Sequence, residues 1–141
     1  MEYTIREAVP DDFDAVLALW SSMDWPTSVP DTRETLQQFH DFSPELFLVA
    51  EADGHIVGTA IAPWNGWRGF IARLATDPPT RRAGVARALV EEAERRLTAR
   101  GARRIYALVD TLSPLAVPFW QAVGYERNET AGLYGKSPEN A

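Results

Sequence analysis

The chain has 141 residues, enough for one domain with a substantial core and too few for two ordinary ones. It contains no cysteine, which excludes disulfides, thiolate metal sites and a cysteine nucleophile, and its net charge of −6 argues against general nucleic-acid binding. No apolar run approaches the ~20 residues of a membrane span, and residues 1–7 lack the basic flank and apolar core of a secretory signal. The expectation is a cytoplasmic protein with no membrane and no nucleic acid among its partners.

Residues 3–8 alternate as an opening strand does. Asp11 then suits a helix N-cap, and Phe13, Val16, Leu17 and Trp20 share one helical face. Residues 21–30 hold two prolines and no periodicity, so they form a loop. Asp31 or Thr32 caps a second, short helix to about His40, with Leu36 and Phe39 inward, and residues 41–45 break it. Residues 46–50 read as a strand, Asp53-Gly54 as a tight hairpin turn and residues 56–62 as the returning strand. An aromatic loop at 63–68 leads to an apolar strand at 69–76. A long helix ends at Arg100 with Gly101 as its stop. A strand at 104–109 follows, then a short helix opened by Pro114 and stopped by Gly124. Residues 125–136 have room for one or two last strands, and 137–141 read as a frayed tail. Hairpin strands ahead of a β–α–β unit make this a mixed α/β domain.

The junction after the 69–76 strand carries the chemistry. Val85, Leu89, Val90, Ala93 and Leu97 recur at helical spacing, so the helix begins near Gly84, and Arg81, Arg82 and Arg87 surround that start. A helix N-terminus bears roughly half a positive charge, so three arginines there have the wrong sign for stability unless an anion sits among them. Free amides at such a corner, with a glycine permitting close approach, suit a phosphate. Residues 68–104 hold ten of the 14 basic residues but four of the 20 acidic ones, a basic block in an acidic body. On the helix itself, Glu91, Glu92, Arg95 and Arg96 read as a solvated face. His40 and His55 are isolated, and no metal site is expected.

Arg81-Arg82-Ala83-Gly84-Val85-Ala86 resembles Arg/Gln-x-x-Gly-x-Gly/Ala, the acyl-CoA pyrophosphate loop of the GNAT superfamily of N-acetyltransferases. Upstream, Thr76-Asp77-Pro78 is similar to that family's Val-x-Pro. Downstream, Phe119-Trp120-Gln121-Ala122-Val123-Gly124-Tyr125 is similar to its (Leu/Phe)-Tyr-x-x-x-Gly-(Phe/Tyr). Residues 46–51 with Val57-Gly58-Thr59, and Asn65-Gly66-Trp67-Arg68-Gly69, further resemble small members of the YpeA type. The resemblance implies a splayed, mostly antiparallel sheet of about six or seven strands with helices on both faces, in one acyl-CoA N-acyltransferase domain over residues 1–136. It implies acetyl-CoA as cosubstrate, its pantetheine arm held by backbone at Leu74, Ala75 and Thr76. Its diphosphate would lie on Arg81, Arg82, Ala83, Gly84, Val85, Ala86 and Arg87. Ser113 stands where the family often has a cofactor-contacting asparagine, and the family also forms homodimers.

The implied reaction is direct attack by a primary amine of a small molecule or peptide on the thioester, in a ternary complex. The family's usual acid, a tyrosine, is replaced by Trp120, whose indole donates a hydrogen bond but does not titrate. A thiol pKa of ~8.5 makes thiolate a tolerable leaving group, so this substitution slows rather than abolishes transfer. Deprotonating a lysine-like amine at pH 7 costs about 4.6 kcal/mol, against about 1 kcal/mol for an α-amino group. The 69–76 strand offers no acid as base, which leaves Asp110, Asp24, Asp31 or Glu34. Trp25, Trp64, Asn65 and Trp67, with Asp24, form either an aromatic wall suited to an amine or cover for the splayed sheet. The alternative to an enzyme is a non-catalytic acyl-CoA-binding sensor or interaction module that kept the loop and lost its acid and base.

Overall fold

A computed structural model describes residues 1–25 and 29–138, so parts of the 21–30 loop and of the terminal tail lie outside the described residues. In chain order the elements are β1 (Thr4–Glu7), α1 (Phe13–Ser21), α2 (Arg33–Phe42), β2 (Phe47–Ala52), β3 (His55–Ile61), β4 (Gly69–Thr76), α3 (Val85–Arg100), β5 (Ile105–Ala107) and α4 (Ala116–Ala122). The strands form one sheet in the order β1-β2-β3-β4-β5, antiparallel as far as β4 and parallel between β4 and β5.

Local chemistry accounts for most boundaries. Asp53 and Gly54 both take positive φ, 51° and 77°, which a two-residue hairpin turn requires at its centre. Thr32, not Asp31, caps α2: its hydroxyl accepts from the Thr35 amide at 3.2 Å, and the Thr35 hydroxyl accepts from the Thr32 amide at 3.0 Å. That exchange leaves the Asp31 carboxylate available elsewhere. Asp11 caps nothing; a short 3-10 turn at Pro10–Asp12 precedes α1, and the Asp12 carboxylate accepts from the Val9 amide and from Arg6.

Helices cover both faces. Leu46, Leu48, Ala50 and Ile71 meet Val85, Leu89, Val90, Ala93 and Leu97 of α3, with Trp120 of α4 in the same cluster. On the other face Phe47, Val49 and Ala75 meet Phe13, Val16 and Trp20 of α1 and Leu36 of α2, with Phe47 stacked 5.8 Å from Phe13. Gly58 admits α3 to the sheet, since a Cβ there would lie 2.9 Å from Val85 and 3.0 Å from Leu89.

The two faces trade places within β4. Ile71 faces α3 and Ala75 faces α1, although uninterrupted alternation would keep residues four apart on one face. The register explains it: Thr59 pairs with Ala75 and Ile61 with Ala72, so β4 spends one extra residue there. Arg73 sits in that bulge with φ 54°, a conformation that costs a long side chain on the order of 1–2 kcal/mol. The Thr59 hydroxyl holds it, donating to the Arg73 carbonyl at 2.9 Å while accepting the Trp20 indole N–H at 2.7 Å. Thr59 is fully buried.

Three expectations change. The sheet has five strands rather than six or seven, because residues 126–138 show no hydrophobic alternation and form no strand. The final helix starts at Ala116 rather than at Pro114, since the Ser113 hydroxyl accepts from the Leu115 and Ala116 amides. Arg96 is not part of a solvated face. It reaches Glu92 at 2.7 Å and Glu7 at 2.9 Å and donates to the Glu45 carbonyl at 2.8 Å, tying α3 to β1 and to the entry of β2.

Replacing Thr59 with Val keeps the shape but strands the Trp20 N–H and the Arg73 carbonyl. The orphaned buried N–H costs about 1–3 kcal/mol, so the urea midpoint should fall at unchanged m-value; an unmoved midpoint would deny the hydroxyl this role. The Asp12 carboxyl is held below its ordinary value of 3.8, first by its hydrogen bonds to Arg6. A depressed carboxyl stabilises fully above its unfolded value and stops doing so as pH falls through the folded one. Stability should therefore decline on acidification below about pH 4, less steeply in Asp12→Asn, measured by urea unfolding across that range.

Candidate active site

The corner between β4 and α3 presents donors with nothing of the protein's own to receive them. After Thr76 the chain makes a 3-10 turn at Pro78–Thr80, pinned by the Thr80 hydroxyl on the Asp77 carbonyl at 2.8 Å. Arg82 takes φ 78° and Gly84 φ 84°, and two left-handed residues so close together turn successive amides outward. Among the described residues, the amides of Arg82, Gly84, Val85, Ala86 and Arg87 have no hydrogen-bond partner. The helix start has neither a side-chain cap nor an acid in its first turn. Arg81, Arg82 and Arg87 are exposed, and none of them reaches a carboxylate among the described residues; Arg81 donates only to the Thr76 carbonyl, at 3.5 Å. Six other arginines behave differently: Arg6, Arg33, Arg73, Arg95, Arg96 and Arg100 all hold carboxylates. Unpaired guanidinium groups around unpaired amides have the chemistry that suits a polyphosphate.

A gap leads away from this corner. β4 and β5 pair only at Gly69–Ile105, Phe70–Tyr106 and Ile71–Ala107, closing with the Leu108 amide on the Ile71 carbonyl at 3.0 Å. Beyond Ile71, β4 continues to Thr76 against β3 alone. Residues 72–76, including Leu74, Ala75 and Thr76, thus border a cleft that starts at the bulge and ends at the Arg81–Arg87 corner.

Of the catalytic candidates, Trp120 and Asp110 have occupations of their own, and Asp24 and Glu34 stand exposed. Trp120 is buried, edge-on to Phe119 and with its ring centroid 4.9 Å from that of Tyr125. Tyr125 donates to Glu94 at 2.7 Å, and burial with this carboxylate pushes its phenol well above the ordinary value. Asp110 accepts from the Leu112 amide at 3.0 Å, and Ser113 starts α4 as described. Asp24 is exposed, with φ 54°, and Glu34 is exposed on α2.

The aromatic residues divide into two places. Trp64, Asn65 and Trp67 belong to the loop that enters β4 at Gly69, roughly 23 Å along the strand from Thr76. There the Asn65 carboxamide oxygen accepts the Trp67 and Arg68 amides, and the Arg68 guanidinium lies 3.8 Å from the Trp67 ring. Trp25 lies instead beside Trp20, at 6.5 Å, and both rings flank the guanidinium of Arg73. Asp31 completes that group with an ion pair to Arg73 at 3.0 Å. Arg73 was missed in the sequence, yet a signal was there: a charge inside an otherwise apolar strand needs a partner.

The acetyltransferase (GNAT) family model matches residues 15–125. The chain belongs to the GNAT acetyltransferase family. An acetyltransferase of Pectobacterium atrosepticum is 34% identical over 122 residues, 86% of each chain, and one of Sodalis glossinidius is 32% identical over 132 residues, 94% of this chain and 93% of its own. Among solved structures, Ard1 from Thermoplasma volcanium superposes with a TM-score of 0.78 at 24% identity, covering 88% of this chain and 82% of its own. The aminoglycoside N-acetyltransferase AAC(6')-Iy in complex with CoA gives 0.74 at 23% identity, covering 96% and 95%. These neighbours share the fold. Family membership makes this chain an acetyl-CoA-dependent N-acetyltransferase, with acetyl-CoA as its cosubstrate. No described helix of this GNAT domain is long and apolar enough to cross a membrane.

Because Arg81 is exposed and pairs with no carboxylate, Arg81→Ala should leave the unfolding midpoint within about 0.5 kcal/mol of wild type. It should weaken acetyl-CoA binding at least tenfold by calorimetry, roughly the worth of one charge-assisted phosphate contact. Unchanged affinity would count heavily against the corner as the diphosphate site.

Proposed function

We propose that the chain moves an acetyl group from acetyl-CoA to a primary amine of a small molecule or peptide, by direct attack in a ternary complex. The observation that carries the proposal is the set of unpaired amides and guanidinium groups over Arg81–Arg87 at the mouth of the β4–β5 cleft. In this reading Arg81, Arg82 and Arg87 hold the phosphates with the amides of residues 82–86, and backbone at Leu74, Ala75 and Thr76 holds the pantetheine arm. The amine nitrogen bonds to the thioester carbonyl carbon, the C–S bond breaks, and the amine's proton leaves to solvent. Thiolate departs and is protonated from water, which removes the need for Trp120 as an acid. Asp31 and Asp110 are already engaged, so the reading favours an acceptor whose amine is readily deprotonated, such as an α-amino group. The domain spans residues 1–136 and works in the cytoplasm.

The test is release of free CoA thiol on mixing the purified protein, acetyl-CoA and a broad amine panel. Release well above the amine-free background with at least one amine is expected. Background release throughout, alongside tight acetyl-CoA binding, would instead make the protein an acyl-CoA sensor.

A further inference from the structure

One end of the sheet carries a cationic and aromatic face that the acyl-transfer reading leaves unused. On β5, Ile105 and Ala107 pack toward α3, so alternation turns Arg104, Tyr106 and Leu108 to the opposite side. On β4, Gly69 and Ile71 likewise face α3, and Phe70 faces away with its ring 5.8 Å from that of Tyr106. The parallel register pairs Gly69 with Ile105, and one residue further back it sets Arg68 beside Arg104. Neither core cluster includes Phe70, Tyr106 or Leu108. Trp67, Tyr106 and Leu108 are 67%, 39% and 48% exposed.

Three features point to an occupant. First, the two arginines are neighbours across a strand pair, and like charges so placed repel unless an anion joins them. Among the described residues neither holds a carboxylate, and residues 63–76 and 101–109 contain no acid. The Arg68 guanidinium donates only to the Trp67 carbonyl, at 3.3 Å. Second, both guanidinium groups lie over rings, Arg68 at 3.8 Å from Trp67 and Arg104 at 5.7 Å from Tyr106, which orders them and leaves N–H donors free. Third, exposed tryptophan, tyrosine and arginine side by side are the residue types that anchor protein interfaces. Here they form a basic group in a chain whose net charge is −6.

We propose that this face docks an acidic segment of a polypeptide partner, with carboxylates on Arg68 and Arg104 and an apolar side chain on the strip of Phe70, Tyr106 and Leu108. Complementary charge selects the acids, and strand spacing sets their place. Arg104 and Tyr106 are two residues apart on a strand, roughly 7 Å, which matches the step between alternate side chains of an extended peptide. A nucleic acid fits less well, because two cations on an acidic body do not track a phosphate backbone. Such docking is independent of acyl transfer.

The test is fluorescence anisotropy with a short labelled peptide of repeated Glu-Glu-Leu-Leu, its amine blocked, beside its Gln-Gln-Leu-Leu and Lys-Lys-Leu-Leu counterparts. CoA is present throughout, to occupy the α3 corner. The acidic peptide should bind about tenfold or more tightly than the glutamine one. Arg68→Gln and Arg104→Gln should each remove most of that preference, whereas Arg95→Gln, which takes the same charge from the α3 side of the sheet, should leave it intact. Arg104→Glu should turn the preference toward the lysine peptide. Equal binding of the acidic and glutamine peptides, no binding of either, or a preference that survives both Arg68→Gln and Arg104→Gln would each overturn the proposal. Tighter binding of a short oligothymidylate than of the acidic peptide would give the face to nucleic acid and overturn it too. Self-association of the wild type that Arg104→Glu abolishes would place a second copy there, with the same consequence.

Discussion

One buried hydroxyl, that of Thr59, decides how the middle of the sheet is built. It takes the Trp20 indole N–H from α1 and gives its own proton to the Arg73 carbonyl, so a helix and two strands meet at a single oxygen. The bond makes the extra residue in β4 tenable, because it gives the carbonyl at the bulge a donor from the core. From the bulge the remaining geometry follows. β4 changes faces between Ile71 and Ala75, bends, and leaves β5 after three pairs. The cleft between the two strands is the consequence, and it opens toward the start of α3.

Charge is distributed to match. Arginines that hold the fold together are matched with carboxylates: Arg6 with Asp12 and Glu51, Arg96 with Glu7 and Glu92, Arg73 with Asp31. Those at the α3 corner have no such partners, and they surround a helix terminus that repels cations. Cations beside a helix N-terminus are unfavourable for stability, and an anion among them would offset that. A protein sacrifices local consistency in this way at functional sites and seldom elsewhere. The acidic remainder of the surface confines that attraction to one corner of the molecule.

Side chains along the cleft show how far sequence pattern carries a site assignment. Gly84 and its arginines were legible because their chemistry is local: a left-handed glycine, a helix start and three cations within seven residues. Trp120 and Ser113 were assigned through the positions they occupy in a family motif. In the fold, the first packs against Phe119 and Tyr125, and the second starts α4. Trp25 and Trp67 look alike in sequence, as tryptophans in irregular loops, yet the fold puts one beside the bulge and the other at the far end of β4. Arg96 looked solvated because its helical neighbours are charged, and its actual partners Glu7 and Glu45 lie on other elements.

By itself the sequence determined the order of elements, the Asp53–Gly54 hairpin, the buried stripe of α3 and the cluster of arginines around its start. Each is set by a torsional preference, a cap or a periodicity acting over a few neighbouring residues. Tertiary structure alone decided the bulge, the point where β4 and β5 part, and the Trp20–Thr59–Arg73–Asp31 group. The pairs joined there by hydrogen bonds or ion pairs are as much as 42 positions apart along the chain, from Asp31 to Arg73. A hydrogen bond or ion pair over that distance leaves no periodic trace, because it exists only after the sheet and helices have packed.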